Sequence, residues 1–380
     1  MKIIVAPDKF KGSIKSIEVC QAIKKGILEA DNTIETLIFP MADGGDGFAE
    51  VLKYYLHTET QFVKTVDPLG RDISASYEWS KKDLVAIIEL AAASGLVILK
   101  KEERNPMITS TFGTGLLIMD AIKRGANKII LGIGGSATND AGIGILAAMG
   151  FIFLDGENNM IPASGENLCR IEKIIPPNIL PKVKVEIACD VTNTLYGPEG
   201  AAYIFSPQKG ATPEQVKKLD DGLKHFSKII ENETGKNLSI IPGTGAAGGI
   251  AAGLIAFLNV SLIEGTELII NASCIKTFLD EADFVITGEG KLDHQSFGGK
   301  TISAITSIAQ EKNIPVAAIC GQLELTEIEC RQSGLSIAVE IKEALMSEEE
   351  SIRMAATLIK EKTKSLVPLL KDIIHGNKNV

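Results

Sequence analysis

The sequence predicts an α/β protein of two domains, and three observations carry that prediction. Short β-branched runs alternate with helical patterns at both ends of the chain. Each such run empties into a loop rich in glycine or aspartate. The composition agrees: 36 glycines in 380 residues, against an average of about 7%, and aromatics at only 5%. At roughly 100–200 residues per domain, this length suggests two domains.

The elements follow in order. Lys2 to Ala6 (KIIVA) reads as a strand, and Ser16, a suitable N-cap, opens a helix with Ile17, Cys20, Ile23 and Ile27 on one face. Glu35 to Phe39 reads as a second strand, ADGGDG as a loop and Phe48 to Leu56 as a helix. Gln61 to Ser80 alternates apolar and polar residues around Asp67-Pro68-Leu69-Gly70, the pattern of a half-exposed hairpin. Strand-like runs recur at Lys128–Leu131 and Val183–Ala188. The C-terminal third returns to the opening scheme: strand Asp283–Thr287, a polar loop GEGKLDHQSFGG, helix Lys300–Glu311 and strand Pro315–Cys320. The last twenty residues are lysine-rich and read as a surface helix with a frayed tail. One domain is therefore expected from both chain ends, residues 1–66 plus 287–380, with residues 67–286 inserted as a second.

Charge and cysteine usage exclude several classes. With 39 Lys+Arg against 48 Asp+Glu, the net charge is −9, and no basic run offers a face for a phosphate backbone, so no nucleic acid is expected as a partner. The longest apolar stretch, Ala246 to Leu258, is too short for the roughly 20 residues of a membrane span. The six cysteines form no C-x-x-C pair, and reduced, mostly buried thiols in a cytoplasmic protein are expected. The four histidines lack metal-ligand spacing, which argues against zinc. A G-x-S-x-G elbow is also absent, which argues against a serine hydrolase.

The chemistry sits in the loops. Gly132-Ile133-Gly134-Gly135-Ser136-Ala137-Thr138-Asn139-Asp140 follows a strand and precedes an apolar helical stretch, so its freed N–H groups would cradle an anion. Gly243-Thr244-Gly245-Ala246-Ala247-Gly248 is a literal G-x-G-x-x-G with Glu267 downstream. Proline directly before it weakens the dinucleotide reading, and close helix packing through small residues explains it equally well. Gly288 to Thr301 ends in G-K-T but has His294 where a P-loop needs glycine, so it is not a Walker A motif. In that segment Lys291 or Lys300 suits phosphate, and Glu289 or Asp293 suits Mg²⁺. Asp43 and Asp46 flank a glycine pair at a helix start, where capping, metal binding or base chemistry are all open. Lys9 and Lys11 follow the first strand, on the side where ligands of parallel sheets bind. Asp190 follows an apolar strand, as catalytic carboxylates often do.

Taken in order, these segments resemble the bacterial glycerate kinases of glyoxylate and sugar-acid catabolism. Ala6-Pro7-Asp8-Lys9-Phe10-Lys11-Gly12-Ser13 is similar to that family's opening A-P-D-S-F-K-G-S, with Lys9 in place of serine. Met41 to Gly47 is similar to M-A-D-G-G-E-G with Asp46 for glutamate, and Ala91 to Leu96 and Thr109 to Gly115 match further motifs. Gly132 to Asp140 matches without change. Ala188 to Leu195 matches with Thr194 for proline, and Pro207 to Ala211, Gly245 to Gly249 and Gly288 to Gln295 complete the set. The resemblance implies a flavodoxin-like (Rossmann-type) domain with a parallel sheet and a second, mixed α/β domain resembling restriction enzymes, with the active site expected in the cleft between them. It implies an ATP-dependent kinase of D-glycerate, with 2-phosphoglycerate as the expected product and 3-phosphoglycerate formation, or phosphorylation of a related sugar acid, as the alternative. A nucleotide-cofactor oxidoreductase and a non-catalytic sugar-acid sensor are the alternatives of other classes.

Phosphoryl transfer needs a phosphate cradle, cations, Mg²⁺ and a proton acceptor. Applied to the matched motifs, those needs select Gly134, Gly135, Ser136 and Thr138 as the cradle. Lys209 and Lys291 are the cations for ATP, and Asp43 and Glu289 the metal ligands. Asp190, Asp293 and Lys11 are the catalytic candidates, with the division between base and metal ligand open among Asp190, Asp43 and Asp293.

Overall fold

The computed structural model describes residues 1–44, 47–297, 301–343 and 345–377. In chain order the strands are β1 (Lys2–Val5), β2 (Glu35–Ile38), β3 (Glu59–Val66), β4 (Asp72–Ser80), β5 (Val85–Glu89), β6 (Lys128–Gly132), β7 (Ile152–Leu154), β8 (Lys173–Ile175), β9 (Lys184–Ala188), β10 (Asn259–Ile263), β11 (Phe284–Leu292), β12 (Val316–Leu323) and β13 (Ile337–Glu340). They divide between two compact units, Met1–Tyr55 with Gly265–Val380, and Leu56–Glu264.

The first unit joins the two chain ends through its sheet. The strand order is β13-β12-β11-β1-β2, and every pairing is parallel. This is the flavodoxin-like order, in which the chain winds outward from β1 to β2 and then returns to wind the other way from β11. Alternate residues of the central strands serve opposite faces. Ile3, Val5, Phe284, Ile286, Ala317 and Ile319 share one core with the helices Ser16–Ala30 and Glu348–Asn377. Ile4, Val285 and Ala318, one residue out of phase, are also fully buried, so the centre of the sheet is covered on both faces. That is why these strands read as continuous apolar runs.

The second unit carries a mixed sheet in the order β10-β9-β6-β5-β4-β3. Its β10, β9, β6 and β5 run parallel, and the β3–β4 hairpin extends it antiparallel, turning at Asp67–Gly70. Ile88, Ile129, Leu131, Val185 and Ile187 form one core with the helices Phe112–Lys123 and Pro213–Thr234.

Several local readings differ. Lys15, not Ser16, occupies the N-cap: its N–H donates to the Glu18 carboxylate at 2.9 Å, while Ser16 is buried as the first helical residue. The strand expected to end at Thr287 continues through Gly288–Leu292, because Lys291 and Leu292 still pair with Gln322 and Leu323 of β12. The lysine-rich C-terminal segment belongs to a helix that starts at Glu348, and its Leu366, Val367 and Leu370 are core residues. Of the cysteines, Cys20, Cys320 and Cys330 are buried, while Cys169 and Cys274 are exposed. Unit boundaries at 55/56 and 264/265 precede the 66/67 and 286/287 expected. The hairpin's first arm, β3, pairs only with β4, and the helix Gly265–Ser273 packs on Thr301–Gln310.

The buried face of the last helix generates a stability prediction. Leu366→Ala should destabilise the protein by about 2–4 kcal/mol, the usual cost of a core cavity. Urea unfolding would measure this, and a change under about 0.5 kcal/mol would mean that the helix end contributes little packing.

Candidate active site

In the first unit, the loops that leave β1 and β11 separate at the point where the winding reverses, and parallel sheets bind ligands there. A cavity of about 420 Å³ opens at this position. Asp8, Lys11, Asp43, Glu289, Lys291 and Asp293 all line it. The structure thus brings together five of the residues selected from sequence, Lys11, Asp43, Glu289, Lys291 and Asp293, from three separate loops and one strand end.

Local folding explains each position. The loop after β1 is pinned by Phe10, which is buried and bridges to Ile14, and by the Ser13 hydroxyl, which donates to the Ile352 carbonyl at 2.8 Å. Lys11 lies at the exposed tip between these anchors. Lys291 is already paired, at 3.0 Å with Glu324 and 3.4 Å with Asp293. Asp46 and Lys300 lie outside the described residues.

Asp8 was not selected from the sequence, where the lysines around it carried the attention. It is 7% exposed. One carboxylate oxygen accepts the Lys9 backbone N–H at 2.6 Å and the other the Thr301 hydroxyl at 2.8 Å. Burial, helped by the like charge of Asp43, pushes its pKa up to about 6 against the pull of those donors. The signal was available: an aspartate two residues beyond a fully apolar strand end.

In the second unit, β6 and β9 run in register, with Gly132 opposite Ala188. The Gly134 loop and Asp190 therefore leave the same end of the sheet from neighbouring strands. Gly134 and Gly135 are exposed, and among the described residues their N–H groups donate to no protein acceptor. Gly135 has φ +68°, a left-handed conformation that glycine adopts without strain. Asp190 is exposed beyond β9.

The rest of this loop differs from an open cradle. Thr138 and Asn139 are fully buried, and their side-chain polar atoms have no protein partner. The helix behind the loop is only Ile143–Ala148, and its start is occupied from within the chain. Asp140 accepts from the N–H groups of Gly142 and Gly144 and from both the N–H and the hydroxyl of Thr111. Lys209 lies beneath the loop at 2% exposure, its ammonium donating to the Ser136 hydroxyl at 2.6 Å and the Thr138 carbonyl at 2.7 Å. Burial pushes the Lys209 pKa down to about 7, with the Asp140 charge acting in the opposite direction.

The second glycine motif lacks dinucleotide-binding context. No strand precedes Gly243, where residues 237–242 are loop and turn. Gly248 instead packs against the Gly132–Asp140 loop so closely that a Cβ there would collide with the Thr138 carbonyl.

Flavodoxin-like winding, with lysines and carboxylates gathered at its reversal point, marks an α/β protein with a candidate site for a small ligand. Comparison with known proteins gives the family. Residues 3–371 match the glycerate kinase family. The chain is 41% identical to a glycerate kinase of Halalkalibacterium halodurans over 96% of its length and 97% of the relative's. It is 37% identical to a glycerate 2-kinase of Escherichia coli K12, covering 93% and 94%. A crystal structure assigned as glycerate kinase 2 from Salmonella typhimurium LT2 superposes with a TM-score of 0.88 at 36% identity, over 98% of each chain. The chain belongs to the glycerate kinase family, and it is an enzyme of the kinase class. Among the described residues, no helix is long and apolar enough to cross a membrane.

The buried lysine makes stability depend on pH. Its folded pKa is about 7 and its ordinary value is 10.5. Between those values the unfolded chain binds more protons than the native one, so this group makes stability rise as pH increases. In thermal unfolding the wild type should gain on Lys209→Met from about pH 7 to 9. A difference that stays constant across that range would mean the ammonium titrates at its ordinary value.

Proposed function

We propose that the protein transfers the γ-phosphoryl group of ATP to D-glycerate and forms 2-phospho-D-glycerate. The observation that carries this reading is the cavity at the winding reversal, where Lys11 shares one space with Asp43, Glu289 and Asp293 in a member of the glycerate kinase family. The chain is net negative, so two anionic substrates need local cations rather than a general field. Lys11, exposed at the tip of a loop anchored at its base, is the partner for the glycerate carboxylate.

Asp43 and Glu289 would hold Mg²⁺. Among the described residues, no group of three acidic, histidine or cysteine side chains is placed to hold a metal ion. The two carboxylates line one cavity, and Mg²⁺, which keeps several waters, takes one or two carboxylates plus substrate phosphate oxygens. When bound, Mg²⁺ neutralises charge on the transferring phosphate. The unpaired N–H groups of Gly134 and Gly135 suit phosphate oxygens, and the Ser136 hydroxyl adds to them. Lys209 acts from beneath, holding this loop and placing positive charge behind it, and Thr138 contributes its carbonyl to that support. Lys291 would exchange its carboxylate partners for an arriving phosphate.

The choice of the 2-hydroxyl has a physical basis. It sits beside the carboxylate, so a lysine on that carboxylate also holds the 2-oxygen close to its reacting position. The 3-hydroxyl lies on a rotatable carbon and needs a further contact. The name of the Escherichia coli relative, glycerate 2-kinase, supports the same choice.

ADP release should require Mg²⁺ and D-glycerate and be well above that with L-glycerate, D-lactate or glycolate. Phosphorus NMR should give a phosphomonoester signal split by one proton; a triplet would assign the 3-position instead. Lys11→Met should raise KM for glycerate by roughly tenfold or more, the scale of a lost charged hydrogen bond, with a smaller effect on KM for ATP. The opposite ratio would place Lys11 on the phosphate.

A further inference from the structure

We propose that Asp8 is the carboxylate that takes the proton from the acceptor hydroxyl as that oxygen attacks phosphorus. This inference rests on the glycerate-phosphorylation reading and names the proton acceptor that reading needs. Three observations carry it, and the first is position. Asp8 stands at the carboxyl end of β1, beside the winding reversal, and lines the 420 Å³ cavity together with Lys11. A group there meets a hydroxyl whose neighbouring carboxylate is held by Lys11.

The second observation is fixation. The Asp8 backbone N–H donates to the Gly288 carbonyl at 2.8 Å, and the carbonyl before it, on Pro7, accepts from Met41 at 3.0 Å. The residue is thus clamped between the middle of β11 and the segment that follows β2. Its side chain is oriented by the Lys9 N–H and the Thr301 hydroxyl, one donor to each oxygen. Each oxygen keeps a further lone pair to accept a substrate hydroxyl. A base in a preset orientation is what proton transfer in the transition state requires.

The third observation is contrast with the other carboxylates. Asp293 lies 3.4 Å from the Lys291 ammonium, so its carboxylate already has a cationic partner. Asp190 is solvent-exposed beyond β9, and Asp43 and Glu289 are each less buried than Asp8. Of these five carboxylates, Asp8 is the one that combines burial, two orienting donors and access to the cavity among the described residues.

The step balances as follows. A lone pair of the glycerate hydroxyl oxygen forms the new O–P bond while the O–H bond breaks, its electron pair staying on oxygen and its proton passing to an Asp8 carboxylate oxygen. The bond from phosphorus to the β,γ-bridging oxygen breaks, and ADP leaves with that electron pair. The proton then passes from Asp8 to water as product departs.

The test uses the full chain with MgATP and D-glycerate. Asp8→Asn should lower kcat by roughly 10²–10⁴-fold, the range of general-base loss, with both KM values within about threefold of wild type. Raising Mg²⁺ should not restore the rate, whereas formate should partly restore Asp8→Ala. Thr301→Val should slow the wild type about tenfold and leave Asp8→Asn no slower, the coupling expected when one residue acts only through the other. If both Asp8 variants fail to fold in thermal unfolding, Thr301→Val decides: an unchanged kcat overturns the assignment. Near-normal kcat in Asp8→Asn overturns it outright, and recovery at high Mg²⁺ reassigns Asp8 as a metal ligand. Absence of turnover by the wild type with D-glycerate would overturn the glycerate reading and this assignment together. Wild-type turnover retained in Asp8→Asn would overturn this assignment alone.

Discussion

The parallel pairing of β1 with β11 is the constraint on which the first unit depends. Ile4 lies opposite Val285, so residues about 280 positions apart become neighbours. The contact is reinforced at the strand start, where the Lys2 N–H donates to the Asp283 carboxylate and the Lys2 ammonium pairs with Glu281. Closing so long a loop costs conformational entropy, which burial of apolar side chains on both faces of the sheet centre offsets. Because β1 and β11 point the same way, their carboxyl ends release Asp8, Lys11, Glu289, Lys291 and Asp293 into one cavity. The same pairing creates the winding reversal, so fold and site share one physical origin.

The second unit solves a different problem, that of holding a glycine-rich loop in one shape. Exposed Gly134 and Gly135 gain little from packing, so their conformation is set from below. Lys209 joins Ser136 to the Thr138 carbonyl, and Asp140 ties the far end of the loop to Thr111 and to the next helix. A buried ammonium and a buried carboxylate are costly to desolvate, and they are retained here with two and four hydrogen bonds respectively. Their value lies in geometry: they hold the loop's N–H directions fixed, and a preset loop has less ordering to do in binding any ligand.

Much of the fold was legible because it rests on local pattern. The strands at Lys2, Glu35, Lys128 and Lys184 and the helix Phe48–Leu56 follow from β-branched runs and helical periodicity, and the β3–β4 hairpin follows from alternation around Asp67–Gly70. The lysine-rich tail misled, because charge on one face of an amphipathic helix hides the buried Leu366 and Leu370 on the other. The run Gly288–Leu292 misled in the opposite sense: its glycines and charges read as loop, and only pairing with β12 keeps it extended.

By itself, the sequence determined the α/β class, the order of its elements, the family motifs and the polar loops that leave the strands, because each is a property of neighbouring residues. Tertiary structure decided what those loops do for one another. It buried Lys209 beneath a loop about seventy residues away, turned Thr138 and Asn139 inward, and joined Lys291 to Glu324. It also set Asp8 between Lys9 and Thr301, a partner 293 positions along the chain. Burial and hydrogen bonding between distant segments set the charge and orientation of an ionisable group, and neither is encoded in the few residues on either side of it.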